Sequence, residues 1–249
     1  MTPAPIHLRW EAPGLAVIAM EDRASRNRFS PAFMEGVEAA FAAVAAEPEA
    51  RVVVLHGYDH YFCCGGTREE LLLLASGEAR FTDFPFFDLP LRCPVPVIAA
   101  MQGHAIGGGF VFGLYADLIV LGEECLYNTN FMQYGFTPGM GATWVVPQRL
   151  GATLGWEMLF GARNYHGGEL RSRGAPVQVV RKGEVIPHAL AQAREIARMP
   201  PAALRELKQA RYDQAQAAHA AAVQREVAMH DATFTRPEVL ERLRTLYPE

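Results

Sequence analysis

At 249 residues, half of them hydrophobic, the chain can bury a full core as one large domain or two small ones. Its net charge of −4 and pI near 6.1 leave no broad basic face, which argues against nucleic acid; an acidic carrier domain has to be met by a local basic patch. Of the 23 basic residues only Lys182 and Lys208 are lysines, a skew toward arginine that reads as genome composition. Cys63, Cys64, Cys93 and Cys125 form no C-x-x-C pair, and adjacent Cys63 and Cys64 are poorly placed to bridge, so free thiols in a reducing, cytoplasmic setting are expected. The start, Met1-Thr2-Pro3-Ala4-Pro5, carries neither a basic nor an apolar region of an export signal. Residues 95–121 are apolar enough to raise a membrane span, but His104, Asp117 and five glycines interrupt them, so a buried strand, turn and helix are expected instead.

In chain order, residues 6–9 and 15–20 read as two strands around the Ala12-Pro13-Gly14 turn. After a polar loop over 22–28, Ser30-Pro31 starts a helix with a capping hydroxyl and a proline at the first position, and Phe33, Val37, Ala40, Phe41 and Val44 follow at helical spacing until Pro48. Arg51-Val52-Val53-Val54-Leu55 is short and β-branched, a strand buried on both faces. A short helix over 69–75 precedes a stretch without periodicity, 76–91. Its Phe81, Phe84, Pro85, Phe86, Phe87 and Pro90 suit an apolar lid or plain core equally well. Strands are expected at 95–100 and 118–121, and helices around 144–150 and 154–160. From Pro187 the chain is Ala-rich and helical, with breaks at Pro200-Pro201, Pro237 and Pro248. The division this suggests is a core over 1–186 and a helical C-terminal region over 187–249. Strand, glycine turn, helix, repeated, implies crossovers and a parallel sheet, hence an α/β fold.

Two glycine-rich turns stand between these strands and helices: Phe62-Cys63-Cys64-Gly65-Gly66-Thr67 and Gln102-Gly103-His104-Ala105-Ile106-Gly107-Gly108-Gly109. Glycine lets bare backbone approach a ligand, and N–H groups at a helix start suit developing negative charge, so the pair reads as an oxyanion hole. Other chemistries fail on their own patterns. A dinucleotide fingerprint from Gly107 needs glycine where Phe112 stands, no lysine has a P-loop setting, and G-x-S-x-G is absent. His56 and His60 lie four apart but on a strand and a loop, so no metal site is expected.

With Thr137-Pro138-Gly139-Met140-Gly141-Ala142-Thr143 added downstream, the order and separation of these motifs resemble the crotonase (enoyl-CoA hydratase/isomerase) superfamily over nearly the whole chain. The resemblance implies a spiral of ββα repeats with a helical C-terminal subdomain that covers the site and builds homotrimers, or dimers of trimers. It implies that the N–H groups of Gly66 and Gly108 grip a thioester carbonyl. The loop with Arg23, Arg26 and Asn27, with Cys64 beside it, would meet the pantetheine or CoA arm. Hydratases of the family use two glutamates, and the matching positions hold Val111 and Phe131. Hydration by that acid/base pair is therefore not available.

Arg80-Phe81-Thr82-Asp83, Asn130-Phe131-Met132, Tyr134-Gly135-Phe136-Thr137-Pro138 and Met229-His230 resemble the decarboxylating members of the superfamily in polyketide β-branching. Those act on 3-methylglutaconyl held on an acyl carrier protein, with a lid lysine and a C-terminal histidine. His230 matches the histidine, and Arg80 stands where the lysine would be. The resemblance makes Gly66, Gly108, His230 and Arg80 the catalytic candidates, with Val111, Phe131, Phe81 and His104 around the substrate, His104 more in packing than in chemistry. His230, titrating near neutrality, is the expected proton donor, because arginine stays protonated. The expected partners are a small acyl thioester and an acyl carrier protein, with no membrane and no cofactor beyond the phosphopantetheine that bears the substrate. Two alternatives stay open: a double-bond isomerase using the same dienolate, and a non-catalytic carrier-binding subunit.

Overall fold

The computed structural model describes residues 4–247; the expected break at Pro248 lies outside them, as do the first three residues of the leader reading. A hairpin opens the chain, β1 (Ile6–Ala12) pairing antiparallel with β2 (Leu15–Met20), and α1 (Pro31–Ala46) follows, its cap Ser30 accepting from Phe33 N at 3.2 Å. Three turns of a spiral come next. The first is β3 (Val52–His56), β4 (Tyr61–Cys63) and α2 (Arg68–Ser76). After α3 (Leu89–Arg92), the second is β5 (Val97–Met101), β6 (His104–Ile106) and α4 (Gly108–Leu114). The third has β7 (Leu118–Gly122) and β8 (Leu126–Asn128), then α5 (Ala142–Leu150) and α6 (Ala152–Gly161). In each turn the first strand joins a six-stranded sheet and the second a smaller one. β9 (Tyr165–His166), α7 (Gly167–Ser172) and β10 (Gln178–Val180) complete them, in the orders β1-β2-β3-β5-β7-β10 and β4-β6-β8-β9. Every pairing is parallel except β1 with β2 and β8 with β9. This is the crotonase spiral.

The two faces of the large sheet explain why its central strands read as near-continuous apolar runs. Side chains alternate along a strand. Leu15, Val17, Val52, Val54, Ile98, Ala100 and Val120 pack on one face against Val185, Ala189 and Ala193 of α8 (Val185–Ile196). Ala16, Ile18, Met20, Val53, Leu55, Ala99 and Leu121 face the other way into the main core. Residue 187, the boundary suggested by composition, falls inside α8.

The chain ends in α9 (Pro201–Thr233) and α10 (Pro237–Leu246). Lys208 anchors α9 to the body: buried, its ammonium meets Asp117 at 2.6 Å and donates to Pro90 O at 2.8 Å. The same Asp117 accepts from Val97 N at the start of β5. An ion pair of this kind contributes little net stability but makes loss of one partner costly. The last turn of the 33-residue α9 carries His230 against Thr137 and Gly139, on the wall of the cavity that Gly66 and Gly108 also border. No helix among the described residues is long and apolar enough to cross a membrane.

Candidate active site

A mostly apolar chamber lies between the two glycine turns, the lid and the C-terminal helices. Its walls include Gly66, Gly108, Cys64, Glu70, Phe81, Phe131, Met140, His230 and Tyr247. Both oxyanion candidates border it, and local hydrogen bonds fix their direction. A trans peptide points its C=O and N–H opposite ways. Gly65 O accepts from Phe29 N at 2.8 Å, which turns the Gly66 N–H of the same peptide away from α1. Gly107 O accepts from Phe110 N and Val111 N inside α4, so the N–H of Gly108, the first residue of that helix, points out of its N-terminus. Gly107 itself has φ 55°, which lets the strand reverse directly into the helix. A second support comes from the far end of the chain: Tyr247 Oη donates to Gly66 O at 2.8 Å.

His230 projects from the end of α9, its Nε2 2.9 Å from Thr137 O. Its ring stands edge-on to Phe81, at 5.0 Å between centroids, and lies 4.9 Å from Phe234. Gly139 makes room for it, since a Cβ there would come within 2.9 Å of both Cε1 and Nε2. Burial among these rings lowers the imidazole pKa to about 4, overriding the opposing hydrogen bonds to Thr137 and Pro138. The expectation of a histidine titrating near neutrality is therefore corrected: in the free protein His230 is neutral at physiological pH.

Other residues singled out in the sequence fall into three places. Phe81 and Phe131 line the chamber with Cys64, whose thiol burial pushes up to about 11; Phe84, Phe86 and Phe87 line it too, so the aromatic lid is chamber wall and core together. Val111 and His104 do not line it. Val111 is fully buried among the core residues around α4 rather than on the chamber wall. His104 faces outward beside Tyr61, its Nδ1 accepting from Leu126 N at 3.0 Å to link β6 to β8.

Arg80 stands outside the chamber. Its guanidinium is exposed and pairs with Asp231 of α9 at 3.3 Å. The two border an outer cavity whose inner wall includes Phe81 and His230, the same residues that line the chamber. The loop of Arg23, Arg26 and Asn27 divides its work. Arg23 pairs with Asp59 and lies over the Tyr58 ring, and Arg26 lies over Tyr61. Asn27 is fully buried and structural: its amide donates to Met20 O and Phe62 O, both at 2.9 Å, and its own carbonyl accepts from the Cys63 thiol.

Three chamber-side residues were not anticipated. Phe29 and Tyr247 orient the Gly65-Gly66-Thr67 backbone, as above. Glu70 closes a capping box with Thr67 at the start of α2 and reaches the chamber wall, where burial raises its carboxyl pKa. The Thr67-x-x-Glu70 spacing announces the cap but not the cavity.

The arrangement offers an acyl thioester two backbone donors, apolar walls and one imidazole. The chain belongs to the enoyl-CoA hydratase/isomerase family, whose model matches residues 11–246. Within it, the chain is 43% identical to the bacillaene synthase decarboxylase PksI of Bacillus subtilis, over 92% of each chain. It superposes with a TM-score of 0.96 on a structure from a dehydratase/decarboxylase enzyme couple involved in polyketide β-branching, at 41% identity over 98% of this chain and all of the other. The decarboxylase domain (ECH2) of CurF from Lyngbya majuscula gives 0.92 at 38% identity, with the same coverage.

Proposed function

We propose that the chain is a decarboxylase that converts 3-methylglutaconyl, or a close analogue, held on an acyl carrier protein to the 3-methylcrotonyl thioester in polyketide β-branching. The observation that carries this reading is an apolar chamber bordered by Gly66, Gly108 and His230, with Phe131 on its wall at one hydratase glutamate position and Val111, buried in the core beside it, at the other. The thioester oxygen accepts from the N–H groups of Gly66 and Gly108. The bond to the distal carboxylate breaks, CO₂ leaves, and its electron pair runs through the conjugated carbons onto the thioester oxygen as a dienolate. Each such donor is worth about 3 to 4 kcal/mol to an oxyanion elsewhere. Apolar walls favour the change, because a localised carboxylate loses more from desolvation than a delocalised dienolate.

A proton must then form the new C–H bond, and His230 supplies it. A substrate carboxylate entering beside the neutral imidazole favours the imidazolium, so the diacid itself charges the donor that later quenches its dienolate. Balance requires one proton taken from solvent for each CO₂ lost. Carrier-bound phosphopantetheine brings the substrate, and the loop with Arg23 and Arg26 beside Cys64 supports a reading as its entry side. The exposed, stacked Trp156 and Phe160 on α6 support a face between copies of this chain, as a homotrimer or a pair of trimers in the cytoplasm.

A double-bond isomerase is the second reading, favoured by one observation: Glu70 puts a single carboxyl on the chamber wall. Incubating the purified protein with 3-methylglutaconyl thioester on carrier protein separates the outcomes. Release of CO₂ with loss of its mass is expected; a double-bond shift at constant mass supports the isomerase, and no change supports a carrier-binding subunit.

In this reading Arg80 draws the diacid in and helps close the lid rather than donating a proton. Arg80→Lys is expected to stay within roughly tenfold of the parent kcat/KM, about 1.4 kcal/mol, because the charge is kept. Arg80→Ala should raise KM for the diacid thioester and change kcat less. Steady-state kinetics on both variants decide it, and an Arg80→Ala variant as active as the parent means that the lid works by shape alone.

A further inference from the structure

We propose that Glu226 is a positioning residue for this reaction, a buried carboxylate clamp that holds the turn over residues 137–143 against both the oxyanion glycine Gly108 and His230. The inference rests on the reading of the chamber given above. Glu226 is fully buried on α9 and accepts three hydrogen bonds from the turn: from Gly141 N at 2.6 Å, Thr143 N at 2.7 Å and Thr143 Oγ1 at 2.6 Å. The turn needs such a hold. Met140 and Gly141 are both in the left-handed region, at φ 62° and 74°, and a non-glycine residue there stays only where its surroundings over-determine it. Tyr115 Oη adds one tie by donating to Met140 O at 2.7 Å.

What the turn carries gives the clamp its consequence. Met140 Sδ lies 3.0 Å from where a Cβ on Gly108 would be, so this side chain walls the oxyanion corner. Thr137 O and Gly139 hold the imidazole of His230. Glu226 and His230 are four residues apart, on one face of α9, so a single helical turn grips both ends of the same loop. A carboxylate suits the position because all three partners are donors. An amide would offer one oxygen and set an N–H group against another.

The groups facing Glu226 and its turn are few. The Tyr115 hydroxyl approaches from the end of α4, Arg225 and His230 flank Glu226 on α9, and His219, also on α9, brings its ring within 3.3 Å of where a Cβ on Gly141 would stand, with Asp88 beside that ring. Burial raises the Glu226 pKa to about 7, against the three hydrogen bonds and Arg225, all of which favour the charged form. The clamp is thus complete above neutrality and loosens as the carboxylate takes a proton.

Amide hydrogen exchange of Gly141 and Thr143, corrected for intrinsic rates and measured without substrate from about pH 5.5 to 8.5, tests the clamp whatever reaction the chamber performs; CO₂ release tests the function separately. In the parent, protection of both amides should rise through neutrality, with kcat rising in step on the acid side. Glu226→Gln should flatten both profiles and lower kcat at least tenfold with KM little changed. Thr143→Ala, which removes one donor and keeps the fold, should move the midpoint to higher pH; it keeps the test decisive should the Gln variant not fold. Glu226→Gln with both amides still protected and the profile unchanged overturns the proposal, as does Thr143→Ala that leaves the midpoint in place.

Discussion

Gly108→Pro is expected to lower turnover by roughly 10²- to 10³-fold, the usual cost of one lost oxyanion donor. The substitution removes the N–H that points out of α4 while placing proline at a first helical position, where its ring is tolerated and no intrahelical bond is broken. It also adds bulk, since a Cβ at residue 108 would lie 2.8 Å from Phe29 Cε2 and 3.0 Å from Met140 Sδ. Gly108→Ala is therefore the control: it keeps the donor and adds only the Cβ. CO₂ release at saturating substrate, with circular dichroism and thermal melting on each variant, separates donor loss from crowding. A folded proline variant near the parent rate removes the oxyanion assignment, and an alanine variant as crippled as the proline one assigns the loss to crowding.

Those two donors illustrate what was legible in the sequence. Phe62 to Thr67 and Gln102 to Gly109 announce themselves as glycine turns between a strand and a helix, and both end on the chamber wall. The strands of the large sheet were legible because burial on both faces makes a β-branched run such as Val52-Val53-Val54-Leu55. The small sheet was not, because Tyr61–Cys63, His104–Ile106 and Leu126–Asn128 are too short to show a period and owe their form to one another. Long-range hydrogen bonds leave no local trace either. Nothing near Tyr247 signals that its hydroxyl meets Gly66, 181 positions away, and Glu226 reads as one more polar residue in an Ala-rich helix. Val111 shows the converse limit: position relative to Gly108 could be matched by resemblance, but which side of α4 it faces depends on how that helix sits in the core.

His230 is where the sequence misleads most, because an imidazole's ordinary value says nothing of the Phe81, Phe136 and Phe234 rings that enclose it. His230→Ala is expected to lower kcat by about 10²- to 10⁴-fold, the range for a lost general acid, with a smaller effect on KM. The donor role also makes a prediction about charge. Followed by NMR, His230 should titrate near 4 in the free protein. It should move upward when a saturated glutaryl thioester is bound, because that ligand brings a carboxylate but cannot form the dienolate; a butyryl thioester, without the carboxylate, should leave it low. Stability provides an independent reading. The folded value lies below the unfolded one of about 6.5, so the unfolded chain takes its proton first on acidification. This residue's contribution to stability is then complete above about 6.5 and is lost as pH falls toward 4. Denaturant unfolding at several pH values should therefore show the gap between parent and His230→Ala narrowing through that window. A free-protein titration near the ordinary imidazole value, or one that the diacid thioester does not shift, would falsify the assignment of His230 as a donor charged by its own substrate.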